Sequence, residues 1–204
     1  MQASAAIAHK QENANEEDRL RAQLYALLGH LLMREPNEDV LSIVRDLRGD
    51  DSELGQAFQA LVAGANKHTQ QSIAREFNDL FIGMGRGELV PYGSYYLTGF
   101  LNEKPLAKLR NAMRELNIER SADAKEPEDN IASLMEIMAG LIEGEFGDRV
   151  CVKVQKQFFE NHIAPWAVHF FKDLEQAEMA EFYRPVGRIG QLFIEIEQRA
   201  FLME

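Results

Sequence analysis

Tyr92, Tyr95 and Tyr96 crowd into one short stretch with Pro91, Gly93 and Ser94, more rings than a core needs from so few residues. Rings with apolar faces and hydroxyl tips suit a binding lip, and inward packing of some of them is the ordinary alternative. A second group, Glu126, Glu128 and Asp129, has the residue types of an acid/base pair or a metal site. These carboxylates stand where Pro127 opens a helical pattern, and there negative charge complements unpaired N–H groups, so capping is the simpler role. The third feature is the alternation of Gly83, Gly85 and Gly87 with Met84 and Arg86, a superficial phosphate loop. No strand pattern precedes it and no helix opens directly after it, so it reads as a helix stop and turn, with a weak GTP site as the remaining alternative.

Other chemistry is excluded by spacing. A di-iron bundle needs Glu-x-x-His pairs, and none of the five histidines has Glu three positions before it. The sequence has no His-Glu-x-x-His, no Gly-x-Ser-x-Gly and no glycine loop ending in Gly-Lys-Ser/Thr. The single Cys151 rules out an internal disulfide and a Cys-rich metal site, fits a reducing compartment, and is expected to be a buried thiol. A formal net charge of −11 repels phosphate backbones and anionic lipid heads and attracts cationic peptides, so nucleic acid is a poor partner; solubility alone also accounts for such a charge.

The elements that must position these residues are helices. Leu20, Leu24, Leu27, Leu28, Leu31 and Leu32 follow the spacing of one helix face, which Pro36 stops, and Asn37 caps the next helix. Further helices are expected over 38–48, over 52–65, and after Thr69, the last carrying Ile73, Phe77, Leu80 and Phe81. Residues 84–94 read as a long connection. Helices then open near Pro105 and near Pro127, with a linker around 122–126. Val150, Val154, Phe158 and Phe159 mark another, Pro165 kinks it or starts a new one, and Phe182, Val186, Ile189, Phe193 and Ile196 mark the last. No alternating strand pattern of useful length and no internal repeat is present. The expected class is all-α, a single domain of eight to ten helices over 13–204, with a disordered tail at 1–12 and a hinge over 84–125. The run from Ala3 to Ala8 is too brief for a secretory signal, and the longest uncharged segment, 89–102, is broken by Pro91, Gly93 and Ser94, so a soluble protein without stable membrane insertion is expected.

Phe77-Asn78-Asp79-Leu80-Phe81-Ile82-Gly83, then Pro91-Tyr92-Gly93-Ser94-Tyr95-Tyr96-Leu97-Thr98-Gly99, then Glu126-Pro127-Glu128-Asp129-Asn130-Ile131-Ala132 with Leu134 and Glu136, resemble the TorD/DmsD family of redox-enzyme maturation chaperones. Ile163-Ala164-Pro165-Trp166 and Phe182-Tyr183 are similar to its C-terminal pattern. The resemblance implies a cytoplasmic helical chaperone, not an enzyme and without a cofactor of its own. Such a chaperone binds the twin-arginine signal peptide and the body of a molybdopterin-containing oxidoreductase until the cofactor is in place. The client implied is a dimethyl sulfoxide, trimethylamine N-oxide or formate enzyme, and the oligomeric state a monomer or a domain-swapped dimer. Signal-peptide binding is thereby assigned to Leu80, Phe81, Pro91, Tyr92, Ser94, Tyr95, Glu126, Pro127, Asp129 and Asn130. Asn130 stands where the family usually has His, which keeps hydrogen bonding but removes a titratable ring. Two other classes remain beside this one: a helical adaptor for an unrelated amphipathic partner, and a nucleotide hydrolase built on the 83–87 loop and the acids at 126–129.

Overall fold

A computed structural model describes residues 2–120, 126–147 and 149–203, with side chains from Glu16 onward. The described residues form ten α-helices and one π-helical turn, with a single isolated bridge and no strand. In chain order these are α1 (Gln2–Met33), α2 (Glu38–Asp46), α3 (Glu53–Lys67), α4 (Gln70–Phe77) continued by the π turn Asn78–Ile82, α5 (Gly93–Thr98), α6 (Lys104–Glu115), α7 (Ile131–Glu143), α8 (Val152–His162), α9 (Ala167–Gln176) and α10 (Tyr183–Leu202). The all-α class expected from periodicity is the observed one.

Local signals set most of the starts. The Asn37 side chain accepts from the Val40 N–H at 3.0 Å, Ser52 Oγ from Gly55 at 3.0 Å and Thr69 Oγ1 from Ser72 at 3.2 Å, so α2, α3 and α4 each open on a polar cap. Pro105 lies in the first turn of α6, where its missing N–H has no helical partner to lose. α7 is apolar on nearly every side and is buried accordingly, from Ile131 and Ala132 to Leu141 and Ile142. It forms the centre of one continuous core, with α1 laid against it and α10 held between α9 and α3. Close approach needs glycine: a Cβ on Gly29 of α1 would lie 2.9 Å from Glu136 Cγ of α7, and one on Gly190 of α10 would lie 2.1 Å from the Phe171 ring.

Two buried carboxylates tie distant segments together. Glu197 of α10, 1% exposed, accepts both arms of the Arg21 guanidinium at 2.8 Å and the Tyr25 hydroxyl at 3.0 Å, joining α1 to α10. Glu76 of α4 accepts from the main-chain N–H groups of Glu181, Phe182 and Tyr183 at 2.8, 3.0 and 2.7 Å. α10 has no side-chain cap of its own, so a residue about a hundred positions earlier supplies its negative N-terminal charge.

Several expectations are corrected. Pro127 does not open a helix: α7 starts at Ile131, because Asn130 Oδ1 accepts from the Ala132 N–H at 2.9 Å and acts as the cap. The 84–94 connection ends early, since α5 begins at Gly93. α1 begins at Gln2. Cys151 is exposed, as it stands just before α8 and not on its inner face. Leu20 (55%) and Ile196 (40%) are exposed because the buried stripes of α1 and α10 are narrower than their apolar patterns. The linker expected around 122–126 lies outside the described residues except Glu126. Among the described residues, no helix is long and apolar enough to cross a membrane.

Candidate functional site

The tyrosine stretch and the acidic stretch meet. Tyr92 and Asn130 form an antiparallel bridge: the Gly93 N–H donates to the Asp129 carbonyl, and the Ile131 N–H to the Pro91 carbonyl, each at 2.9 Å. Asp129 Oδ2 then accepts from the Ser94 N–H at 2.7 Å and from the Ser94 hydroxyl. Asp129 thus closes the first turn of α5, which follows Tyr92 without a side-chain cap from its own segment. The bridge is buried: Ser94 is 0% and Asp129 3% exposed, and Asp129 Oδ1 has no hydrogen-bond partner among the described residues. Gly93 is obligatory for packing here, since a Cβ on it would sit 2.9 Å from the Trp166 indole nitrogen.

Glu126 and Glu128 cap no helix, and Asp129 completes α5 instead of the helix that follows it in sequence, contrary to the simpler reading of their position. Glu126 accepts from the Tyr92 hydroxyl, and Glu128 takes a bidentate contact from Arg110 of α6, with Nε and Nη2 at 3.0 and 2.8 Å from Oε2. Burial works against charge on Glu128, yet the Arg110 guanidinium, the Glu128 main-chain N–H and the charge of Arg120 together hold the carboxyl below its usual value. The Tyr92 hydroxyl is pushed up by burial and by its bond to Glu126, so it remains a neutral donor. Sequence spacing could not show these roles, because Tyr92 lies 34 positions from Glu126, Ser94 35 from Asp129 and Arg110 18 from Glu128.

The three rings divide. Tyr96 packs on Trp166 and Phe170, with centroids 5.3 and 6.1 Å away, and its hydroxyl donates to Asp173 at 2.8 Å. Tyr95 is half-buried, lies beneath the Arg86 guanidinium and bonds to it at 2.6 Å. Tyr92 is half-buried at the bridge. Of the remaining residues assigned from the sequence, Phe81 and Pro127 are half-buried, and Leu80, Pro91 and Asn130 are interior beside Ser94 and Asp129. The bridge unites Pro91, Tyr92, Ser94, Asp129 and Asn130, with Glu126 attached. Leu80 and Phe81 take no part in the bridge: Leu80 is in the core, and the Phe81 ring meets Phe77 and Tyr183 at 5.0 and 5.6 Å.

The glycine loop is a helix stop. Gly83 adopts φ 60°, its N–H closes on the Asn78 carbonyl at 2.7 Å, and Glu88 and Leu89 return to the carbonyls of Asp79 and Leu80. Glu88 then accepts from the N–H groups of Glu178 and Met179 at 2.7 and 3.0 Å. Among the described residues no group of three His, Cys, Asp or Glu side chains is placed to hold a metal.

Beyond Glu126 lies a cleft of about 850 Å³, lined by α1, the end of α6, α7 and the turn after it. Its walls combine Met33, Met113, Ile118, Ile137 and Phe146 with carboxylates including Glu126, Glu136 and Glu145. Sequence reading missed this cleft. Its one visible sign was Glu136, the lone charge between Ile131 and Ile142 in an otherwise apolar helix.

Comparison with known proteins agrees with this architecture. A family model described as nitrate reductase delta subunit matches residues 47–172. The chaperone protein TorD of Vibrio atlanticus is 26% identical over 198 residues, covering 87% of this chain and 92% of that protein. The Tat proofreading chaperone DmsD of Salmonella typhimurium is 27% identical over 175 residues, covering 81% and 83%. A crystal structure described as a redox enzyme maturation protein from Archaeoglobus fulgidus superposes with a TM-score of 0.57 at 20% identity, covering 86% of this chain and 93% of that one, which establishes a shared fold. The relatives bear names of chaperones and not of enzymes, and the chain belongs to the nitrate reductase delta subunit family together with the TorD and DmsD redox-enzyme maturation chaperones.

Proposed function

We propose that this chain is a cytoplasmic chaperone for the catalytic subunit of a molybdopterin-containing oxidoreductase. It binds the twin-arginine signal peptide and the immature body of that client, assists cofactor insertion and delays export, and it needs no cofactor itself. The observation that carries the reading is the Tyr92–Asn130 bridge, which sets a half-buried tyrosine against Glu126 at the edge of an acidic, partly apolar cleft. A twin-arginine signal offers guanidinium groups followed by an apolar segment, and the two kinds of surface match both parts. The names of the relatives, chaperone TorD and Tat proofreading chaperone DmsD, support the same partner class.

The energetics allow holding and release. Covering about 400 Å² of apolar peptide surface supplies about 10 kcal/mol gross, and ordering the peptide offsets much of it. Within the assigned residues the work divides: Ser94, Asp129 and Asn130 hold the bridge, and Tyr92, Glu126 and Tyr95 retain surface for a ligand.

The test is a fluorescence titration of the full chain with synthetic twin-arginine signal peptides. Micromolar or tighter binding is expected, weakening with added salt and by about tenfold in Tyr92→Ala, the loss of one well-placed contact. Absence of binding to every such peptide removes the proposal.

A further inference from the structure

Charge in the cleft is unbalanced. Glu119, Glu126, Glu128, Glu136, Glu143 and Glu145 line it against His30, Arg34 and Arg120. Glu128 is already engaged by Arg110 and Glu126 by Tyr92, whereas Glu136, Glu143 and Glu145 take part in no salt bridge among the described residues. Glu136 lies in the middle of α7 with its stem packed over Gly29, and its side chain stays exposed along the cleft. Partial burial raises its pKa, His30 and Arg34 oppose the rise, and Glu145 adds to it. Beside these carboxylates the cleft presents Met33, Met113, Ile118, Ile137 and Phe146. The volume lies within the range of about 300–1,000 Å³ typical of ligand clefts. Carboxylates beside polarisable apolar side chains suit a ligand with cationic groups next to an apolar turn.

We propose that this cleft between α1, α6 and α7 receives the paired arginines of the signal peptide, with Glu136 and Glu145 accepting the guanidinium groups and the adjoining apolar residues resting on Ile137 and Phe146. The inference rests on the signal-peptide reading and adds the face of the molecule that recognises the charge. Glu126 links the two regions, since it lines the cleft and also accepts the Tyr92 hydroxyl. The arginine pair therefore enters the cleft, and the following segment passes the Tyr92 edge.

The experiment uses the full chain and two fluorescein-labelled peptides, one with the paired arginines and one with both replaced by glutamine. Binding is measured for the wild type, for Glu136→Gln/Glu145→Gln, and for Asp39→Asn/Glu160→Gln, an equal charge change at exposed sites elsewhere. The cleft variant should bind the arginine peptide at least about tenfold more weakly and show a shallower salt dependence, with little change for the glutamine peptide. Its thermal midpoint should hold or rise, because removing mutually repelling carboxylates does not harm the fold. Equal binding of the arginine peptide by the wild type and the cleft variant overturns the assignment while leaving the chaperone reading intact, and so does an equal loss in the Asp39/Glu160 control. If the wild type binds neither peptide, both the reading and the cleft assignment fail.

Discussion

Removing the Asp129 carboxylate should separate a residue that holds the site from one that touches the ligand. In Asp129→Ala the Ser94 N–H and hydroxyl lose their acceptor at a position that is fully buried. Each unmet buried donor costs about 1–3 kcal/mol. The two main-chain bonds of the bridge survive, and loss of Asp129 Oδ1, already without a partner, relieves a standing cost, so the net destabilisation is about 3 kcal/mol. For a chain of this length that lowers the thermal midpoint by about 6–12 °C. Ser94→Ala, which removes only the hydroxyl bond, should cost about 1 kcal/mol. The double variant should then be no less stable than Asp129→Ala, because the hydroxyl has no partner left to lose. Urea unfolding followed by circular dichroism measures all three, with midpoints compared at constant slope. A loss below about 1 kcal/mol for Asp129→Ala, or strict additivity in the double variant, refutes the structural role given to this contact.

Glu76→Ala should destabilise the fold by about 2–4 kcal/mol in the same urea assay, because the Phe182 and Tyr183 N–H groups are buried and α10 has no other cap. Glu76→Gln should fall between the two, keeping one acceptor oxygen. The pKa of His162 is lowered from its ordinary 6.5 by burial, with Lys108 adding to the shift, so the folded state binds this proton less readily than the unfolded chain. Its contribution is present above pH 6.5 and is lost as pH falls through the lowered value, so urea midpoints should decline across that window, and less steeply in His162→Asn.

Much of the helical framework was legible locally. Asn37, Ser52 and Thr69 start α2, α3 and α4 through bonds to amides three residues ahead, and such contacts depend only on neighbouring residue types and dihedral preferences. The leucine stripe of α1 and the apolar face of α10 follow from the same short-range periodicity. Periodicity overreached at Leu20 and Ile196, because burial depends on what covers a face as well as on its composition. It failed at Pro127, where a proline followed by acids has the pattern of a helix start, but the chain spends those residues on the bridge to Tyr92 before Asn130 caps α7.

The candidate site divides along the same line. Sequence alone determined the residue types on offer, clustered tyrosines, an acidic stretch and a net negative charge, in an order that resembles one family of chaperones. Tertiary structure alone decided that Tyr92 faces Glu126, that Asp129 completes α5, that Glu76 caps α10 from across the chain, and that Glu136 opens onto a cleft. Those outcomes join residues from about thirty to more than a hundred positions apart. Local preference acts over a few residues, whereas the pairing of distant groups is settled when burial of the α7 core brings the helices together and each buried polar atom must take whichever partner that packing leaves within reach.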